Sequence, residues 1–353
     1  MLVRVRFAPS PTGSLHIGNA LSAVANRAFA DEHSGALVLR IDDTDPTRVV
    51  PGGEEAILDD LGWLSVAWDE GPYRQSERDD LYAPAAERAL AGGAVRDPDG
   101  SIRLEGTTLV RADGTATYQL ATVVDDLELG ITHVIRGSDH RPNEAVHGRI
   151  AEALGGTFPE VIHHGLVLGE DGKKLSKRHG HQLASLADLR AEGIPGSAAR
   201  RYLEELDLPR HDVRFDLSRL RRLAIEAIEA MSDADLTEAA GAPVELALAL
   251  RGARTLIEAR EIARQILEPT SVSLGESARP TIERFTELRE TASDELDDTA
   301  ARAIVRELKA VGGDLRALRL VLTGAERGPE LAAVVATLSR DEALRRAAAA
   351  IGG

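Results

Sequence analysis

The sequence contains no cysteine, so it can form neither a disulfide framework nor a thiolate zinc site. No run approaches the ~18 consecutive apolar residues that a membrane span requires. The opening stretch MLVRVRFAPSPTG also lacks the apolar core of a signal peptide. These absences predict a cytoplasmic protein with no membrane association and no zinc.

Lysine is almost as scarce, since only four of the 42 lysine and arginine residues are lysine. Three of the four (Lys173, Lys174 and Lys177) fall within five residues. The alternative to a function is chance clustering, but lysine supplies a compact, mobile point charge that arginine does not. The cluster therefore marks a candidate functional segment.

What the chain does contain is ordinary for a globular enzyme: 353 residues, enough for two or three domains, with 43% hydrophobic and 28% charged residues. Its formal charge of −16 disfavours a general nucleic-acid binder, because phosphate contacts need local positive charge. A basic patch on an otherwise acidic surface could still bind one RNA.

The first forty residues predict a βαβ unit. Residues 2–8 alternate as a strand, a Pro- and Gly-containing turn follows, residues from about 16 to 32 have helical spacing, and residues 36–42 form a second strand. This order is typical of a parallel sheet. Further strands are predicted at residues 117–125, 131–137 and 161–169, with a helix at residues 142–154.

After about residue 185 the strand signals end, and Ala, Leu, Arg and Glu recur with helical periodicity. The predicted fold class is therefore α/β followed by all-α, with a Rossmann-like parallel-sheet half preceding a helical half.

The first βα turn is where an open parallel sheet binds ligands. Here it reads RFAPSPTGSLHIG, with hydroxyls at Ser10, Thr12 and Ser14. His16 stands where a helix begins, and a helix N-terminus attracts phosphate. Gly18 leaves room for a flat base to approach the backbone. Taken alone, a histidine here is more often a simple cap.

A second candidate is the loop GEDGKKLSKRHG, residues 169–180. Its four firm cations (Lys173, Lys174, Lys177 and Arg178) repel one another until a polyanion binds. An exposed basic turn without this role is the alternative for the loop by itself.

Together the two segments resemble the signatures of the class I aminoacyl-tRNA synthetases, as HIGN at residues 16–19 and KLSKR at residues 174–178. The stretches RIDDTDPTR, DEGPYRQSER, TYQLATVVDDLELGITHVIRGSDH and LGEDGKKLSKRHG then occur in the order that glutamyl-tRNA synthetases show. The resemblance covers nearly all of residues 1–180 and is weaker near the end, at LRALRLVLTGAERGPELAAV.

The resemblance implies a glutamate–tRNA ligase that uses ATP, with Mg²⁺ bound through the ATP, L-glutamate and tRNA(Glu), and that is a monomer. The implied catalytic residues are His16, Lys174 and Lys177. The implied ATP-binding residues are Thr12, His16, Gly18, Asn19, Lys174, Ser176 and Lys177. The implied glutamate-binding residues are Arg6, Ala8, Ser10, Asp42, Tyr118 and Arg136.

It also implies three regions: a catalytic domain at residues 1–185, a connecting helical region at residues 186–240 and an anticodon-binding region at residues 241–353. Within the first, residues 94–117 would form an acceptor-binding insertion, much shorter than is usual in the family. Asp42 stands where these enzymes more often carry Glu, which shortens its reach, and RIDDTDP leans toward the glutamine-specific relatives. The helical half is also compact for the family.

Scattered histidines without cysteine do not favour a metal site, including the adjacent His163 and His164 on a predicted strand. Three rival functions remain open. Two pass glutamate from the adenylate to another acceptor, either a modified tRNA base or a small-molecule or carrier amine. The third is a non-catalytic, synthetase-derived RNA-binding protein.

Overall fold

The computed structural model describes residues 2–175, 183–270, 272 and 274–351. Its internal contacts divide the chain into two units, residues 1–191 with 199–220, and residues 192–198 with 221–353. No helix in the described ranges is both long and apolar enough to cross a membrane.

The first unit carries the sheet strands. Its helices and strands between residues 4 and 128 are β1 (Arg4–Phe7), α1 (Ile17–Glu32), β2 (Ala36–Ile41), α2 (Gly53–Trp63), β3 (Glu70–Arg74), α3 (Asp79–Ala91), β4 (Val95–Arg96), β5 (Ile102–Leu104), β6 (Thr107–Val110) and α4 (Tyr118–Glu128). Then come β7 (His133–Gly137), α5 (Arg141–Ala153), β8 (Glu160–His164), β9 (Val167–Leu168), α6 (Leu186–Ala191) and β10 (Val213–Arg214).

The strands β1, β2 and β3 pair in parallel, as do β7 and β8. β7 lies on the other side of β1 from β2, where Thr132 donates its backbone N–H to the Arg4 carbonyl at 2.9 Å. The connection from β1 through α1 thus leads to β2 on one side of β1, and the later strand β7 lies on the other side of β1. This reversal of strand order opens a crevice at the carboxyl ends of β1 and β7, which is where open α/β sheets bind ligands.

The predicted βαβ unit is confirmed, and β2 is buried along nearly its whole length, as a parallel strand covered on both faces should be. The strand predicted at residues 117–125 is wrong, because this segment forms the helix α4. Its β-branched residues favour a strand locally, but Leu120, Ala121, Val123 and Val124 also lie at helical spacing and are all buried. Tertiary burial of that helical stripe decides the outcome.

Residues 94–117 form a small antiparallel sheet of β4, β5 and β6. Its inward side chains Ile102, Leu104, Leu109 and Val110 belong to one apolar cluster with residues of α3, α4 and α5. This small sheet is therefore packed onto α3, α4 and α5 and shares their apolar cluster.

Two further helices contain residues of both units, α7 (Gly196–Leu206) and α8 (Leu217–Ala230). The helices of the second unit are α9 (Asp233–Ala240), α10 (Ala247–Leu250), α11 (Leu256–Leu267), α12 (Arg279–Thr291), α13 (Asp298–Ala310), α14 (Leu315–Thr323), α15 (Leu331–Thr337) and α16 (Arg340–Ile351). They surround a core of aliphatic residues and Phe285. The predicted change from an α/β half to a helical half is confirmed.

Candidate active site

A cavity of about 870 Å³ lies at the carboxyl ends of β1 and β7. Every predicted site residue that the structure describes lines it: Arg6, Ala8, Ser10, Thr12, His16, Gly18, Asn19, Asp42, Tyr118, Arg136 and Lys174. The remaining two, Ser176 and Lys177, lie outside the described residues. Two motifs more than 150 positions apart in the sequence therefore meet at one site.

The turn that carries His16 is held by a buried carboxylate. Asp60 on α2 accepts hydrogen bonds from the Ser14 hydroxyl and the Leu15 backbone N–H, both at 2.7 Å. Its second oxygen accepts from Arg190 at 2.7 Å. Asp60 is 1% exposed, so this contact is well shielded from water and fixes the approach to α1.

The start of α1 is open toward the cavity. His16 stands at the position before the first helical residue and its side chain does not cap the helix. A Cβ built on Gly18 would meet no atom within 4 Å, so the glycine faces open space. The first turn has no acidic side chain to compete with an anion. These features suit a phosphate at the helix N-terminus.

At the inner end of the cavity lies a buried network of opposite charges. Arg40, which is fully buried, donates to Asp42 at 2.6 Å and to Asp126 at 2.8 Å. Arg6 approaches the same Asp126 oxygen at 3.3 Å. Burial alone would raise the pKa of Asp126, but the charges of Arg6 and Arg40 lower it overall. Both arginines therefore already have carboxylate partners.

Asp125, next to Asp126 on α4, is also satisfied. It accepts hydrogen bonds from the Gln75 side chain at 2.9 Å, from Arg78 at 2.8 Å and from the Tyr82 hydroxyl at 3.0 Å. The sequence pattern predicts a strand at residues 117–125 and gives no indication that Asp125 or Asp126 pairs with an arginine. The importance of Arg40 could have been predicted from the sequence, since an arginine inside a buried strand needs an acidic partner.

Arg136 differs from the other two arginines. It is 6% exposed, and all three of its guanidinium nitrogens are buried and have no hydrogen-bond partner among the residues that the structure describes. Burial and the nearby charge of Arg6 lower the pKa of Arg136. A buried, unpartnered cation is costly, so a pocket that retains one is suited to receive an anion there.

Asp42, expected to face the ammonium of glutamate, lines the cavity but is committed to Arg40. Its two oxygens accept from Arg40 at 2.6 and 3.2 Å. Burial raises the pKa of Asp42, and the Arg40 charge offsets part of that rise. The short side chain is thus held against its own strand.

Lys174 reaches Asp139 at 2.5 Å on the open side of the cavity. Burial raises the pKa of Asp139, but the hydrogen bond and the charge of Lys174, together with the charge of His140, lower it overall. The lysine predicted to bind phosphate therefore already has a carboxylate contact. A nucleotide would have to compete with or share that contact.

Two of the cavity residues without a predicted role, Ser22 and His164, contact each other. The Ser22 hydroxyl lies 2.7 Å from Nε2 of His164, which follows from their placement on α1 and at the end of β8. Ser22 stands four residues after Gly18, so helical periodicity places the two on one face.

Among the residues that the structure describes, no group of three or more His, Asp or Glu side chains is arranged to hold a metal ion.

Comparison with known proteins adds three findings. Residues 2–105 and 97–219 match the family described as tRNA synthetases class I (E and Q), catalytic domain. Glutamate–tRNA ligase 1 of Rubrobacter xylanophilus is 44% identical over 251 residues, which is 64% of this chain and 58% of that protein. Glutamate–tRNA ligase 1 of a Methylobacterium species is 32% identical over 468 positions, covering 98% of both chains.

The second alignment is longer than this chain of 353 residues, so the relative contains segments that are missing here. Among solved structures, a glutamate tRNA ligase from Elizabethkingia meningosepticum, in complex with its amino acid, superposes with a TM-score of 0.77 at 23% identity. That match covers 100% of this chain and 99% of the other. At this identity it supports the fold alone.

Proposed function

This chain belongs to the class I tRNA synthetases of the glutamate and glutamine type, and on that premise we propose that it activates L-glutamate with ATP and transfers it to the 3′ end of tRNA(Glu). The observation that carries the choice of substrate is Arg136, a buried guanidinium in the cavity that donates no hydrogen bond to any described residue. An acidic amino acid supplies the carboxylate that it lacks.

The charges of the inner pocket agree with this substrate. Three buried arginines (Arg6, Arg40 and Arg136) stand against two buried aspartates (Asp42 and Asp126), while Asp125 is paired with Arg78. The pocket therefore has an excess of one positive charge. Glutamate carries one net negative charge at neutral pH and glutamine carries none, so glutamate leaves the buried charges balanced.

The amino acid would lie among Arg6, Ala8, Ser10, Asp42, Tyr118 and Arg136. Arg6 and Arg136 would bind its carboxylates and Asp42 its ammonium, with Ser10 and Tyr118 completing the pocket. Because Arg40 holds Asp42 back, we expect the ammonium contact to include a water molecule, which costs little compared with a direct hydrogen bond.

ATP would lie with its phosphates at the start of α1. Thr12, His16, Gly18 and Asn19 line this part of the cavity, and Lys174 approaches from the opposite wall. In the reaction an oxygen of the α-carboxylate attacks the α-phosphate, pyrophosphate leaves, and glutamyl-adenylate forms. A ribose hydroxyl of the tRNA then attacks the activated carbonyl and AMP leaves.

Neither step needs a protein nucleophile, so positioning and charge stabilisation should supply most of the rate. His16 and Lys174, together with Lys177 from the loop outside the described residues, would stabilise charge on the phosphates as the bond to pyrophosphate breaks. Ser176 would contribute a hydroxyl.

We expect ATP to bind as its magnesium complex, since Mg²⁺ retains several waters and binds mainly through substrate phosphates. The residues present are compatible with that ion, because Asp139 places a carboxylate beside Lys174 where the phosphates would lie. The ion would offset phosphate charge, and chelation should abolish activity. No zinc is proposed.

We further propose that the small sheet at residues 94–117 serves as the reduced acceptor-binding insertion of a catalytic domain at residues 1–185. Residues 186–240 would then be the connecting, stem-contact helical region, and residues 241–353 would read the anticodon. The enzyme would act as a cytoplasmic monomer, which sedimentation would test. The two other glutamyl acceptors and a non-catalytic role are not favoured, because relatives aligned over 98% of the chain are glutamate–tRNA ligases.

The deciding test is acid-precipitable incorporation of labelled glutamate into unfractionated tRNA, with ATP and magnesium, and with glutamine run in parallel. Base-labile glutamate on the tRNA would establish charging. Adenylate formation without incorporation would move the assignment to another acceptor, and preferred use of glutamine would refute the substrate.

A further inference from the structure

The pair formed by Ser22 and His164 lies in the wall of the cavity, and the chemistry of glutamate activation leaves it without a role. The Ser22 hydroxyl oxygen is 2.7 Å from Nε2 of His164. His164 is 2% exposed and Ser22 is partly buried. Both side chains line the same cavity as His16 and Lys174.

The hydrogen bonds fix which atom carries each proton. Nδ1 of His164 lies 2.8 Å from the carbonyl oxygen of Gly165, which can only accept, so Nδ1 carries the hydrogen. Burial lowers the pKa of His164, which keeps the ring neutral. Nε2 is then an acceptor, and the Ser22 hydroxyl donates to it at 2.7 Å in preference to the Gly18 carbonyl, which lies 3.3 Å away. The remaining lone pairs of the Ser22 oxygen make that atom a hydrogen-bond acceptor.

The surroundings of this acceptor suit a flat ring. Gly18, one turn earlier on α1, leaves its side of the cavity open. Leu166, Val167 and Leu175 supply apolar surface on the cavity lining. From His16 to Ser22 is six residues, or about 9 Å along a helix, a separation that a ribose bridges between a phosphate and a base.

We propose that Ser22, oriented by His164, selects a purine that carries an amino group at position 6 over one that carries a 6-oxo group. The adenine amino group donates to the Ser22 oxygen. A 6-oxo group would place an acceptor against an acceptor, leaving both unpaired in a buried site. Ser22 is thus a specificity residue and His164 a positioning residue. The inference rests on the proposed nucleotide site.

The test is equilibrium binding of three nucleotides to the full chain, followed by glutamate-dependent pyrophosphate exchange with each. The probes are ATP, inosine triphosphate with its 6-oxo group, and purine riboside triphosphate, which has no group at position 6. We expect the unaltered protein to prefer ATP to inosine triphosphate by about 10- to 100-fold.

Ser22→Ala should reduce that preference to within about threefold, while binding of purine riboside triphosphate stays unchanged. His164→Met should also improve binding of inosine triphosphate, because the Ser22 hydroxyl can then turn from the Gly18 carbonyl, 3.3 Å away, to donate to the 6-oxo group. Ser22→Thr, which retains the hydroxyl, should keep the preference for ATP.

An unchanged ratio of ATP to inosine triphosphate in both Ser22→Ala and His164→Met would overturn the inference. Equal weakening of all three nucleotides by Ser22→Ala would also overturn it, because the serine would then only shape the wall. Selective nucleotide binding without glutamate-dependent exchange would refute the proposed function and leave the base selection standing. Failure to bind any of the three would refute both.

Discussion

Replacing Arg136 by glutamine tests the proposed glutamate pocket most directly. Arg136 is 6% exposed and its three guanidinium nitrogens have no partner within the part of the chain that the structure describes. If a substrate carboxylate binds to Arg136, the substitution Arg136→Gln leaves that carboxylate buried beside a weak, neutral partner. We expect the loss to be about 2–4 kcal/mol, or roughly 30- to 1,000-fold in kcat/KM for glutamate.

The same substitution should not destabilise the fold. A buried cation without a partner opposes folding, so its removal should leave the free energy of unfolding unchanged or raise it. Arg40 provides the matched comparison, since it is fully buried and bonded to Asp42 and Asp126. Arg40→Gln removes the partner of two buried carboxylates and should cost about 3–5 kcal/mol.

Both variants would be measured by urea unfolding and by glutamate-dependent pyrophosphate exchange, with and without tRNA. We expect the two variants to differ in activity and stability: Arg136→Gln should be inactive but stable, and Arg40→Gln should be unstable. If Arg136→Gln unfolds as readily as Arg40→Gln, Arg136 has a structural partner and the pocket is misassigned. Normal glutamate use by a stable Arg136→Gln protein would refute the pocket outright.

Three further outcomes are expected. Lys177→Ala should lower the rate of adenylate formation with little loss of ATP affinity, because the contact of Lys177 with phosphate strengthens in the transition state. The control Lys309→Ala should change neither the rate nor the ATP affinity. If the two variants have the same effect, the loop that carries Lys177 has no part in the mechanism. Burial lowers the pKa of His147 to about 3, below its value of about 6.5 in the unfolded chain, so this group makes stability fall as the pH drops from about 6.5 toward 3. His147→Leu should therefore remove the uptake of about one proton on unfolding, which lowers the slope of the free energy of unfolding against pH by ~1.4 kcal/mol per pH unit. Urea unfolding near pH 5–6 would measure this slope. An unaltered slope would contradict the lowered pKa of His147. Arg289, fully buried, donates to the carbonyls of residues 293 and 294 at 2.6 and 2.5 Å, and Arg289→Met should cost about 1–3 kcal/mol in calorimetry. Arg284→Met, at a half-buried position whose ion pairs lie near the surface, should cost less than about 1 kcal/mol.

The sequence was sufficient for the first βαβ unit because its two periodicities and its turn residues agree with one another. The resemblance to the glutamyl-tRNA synthetases implied that His16, Arg6 and Arg136 would share a site, and they line one cavity. That prediction needed no knowledge of the strand order. Parallel strands present their carboxyl ends at one edge, so motifs that follow such strands converge.

The buried charge network was beyond local reasoning. α4 combines β-branched residues with a helical stripe, and only its packing against neighbouring helices decides between them. Once it is a helix, Asp125 and Asp126 face different arginines from adjacent positions. Pairing of Asp126 with Arg40, 86 positions apart, has no signal in spacing. The same holds for Ser22 and His164, which are 142 positions apart.

The network bears on how glutamate is told from glutamine, because the two side chains are nearly isosteric. The reacting α-carboxylate must reach the phosphates at the start of α1, which leaves the side-chain carboxylate for the inner pocket. Arg6 there is already paired with Asp126 at 3.3 Å, whereas Arg136 has no hydrogen-bond partner in the described part of the chain. A carboxylate restores the favourable interaction that burial takes from Arg136, and a neutral amide does so only weakly. Arg136→Gln should therefore impair glutamate far more than glutamine. If both amino acids lose equally, Arg136 binds the α-carboxylate and selectivity has another origin.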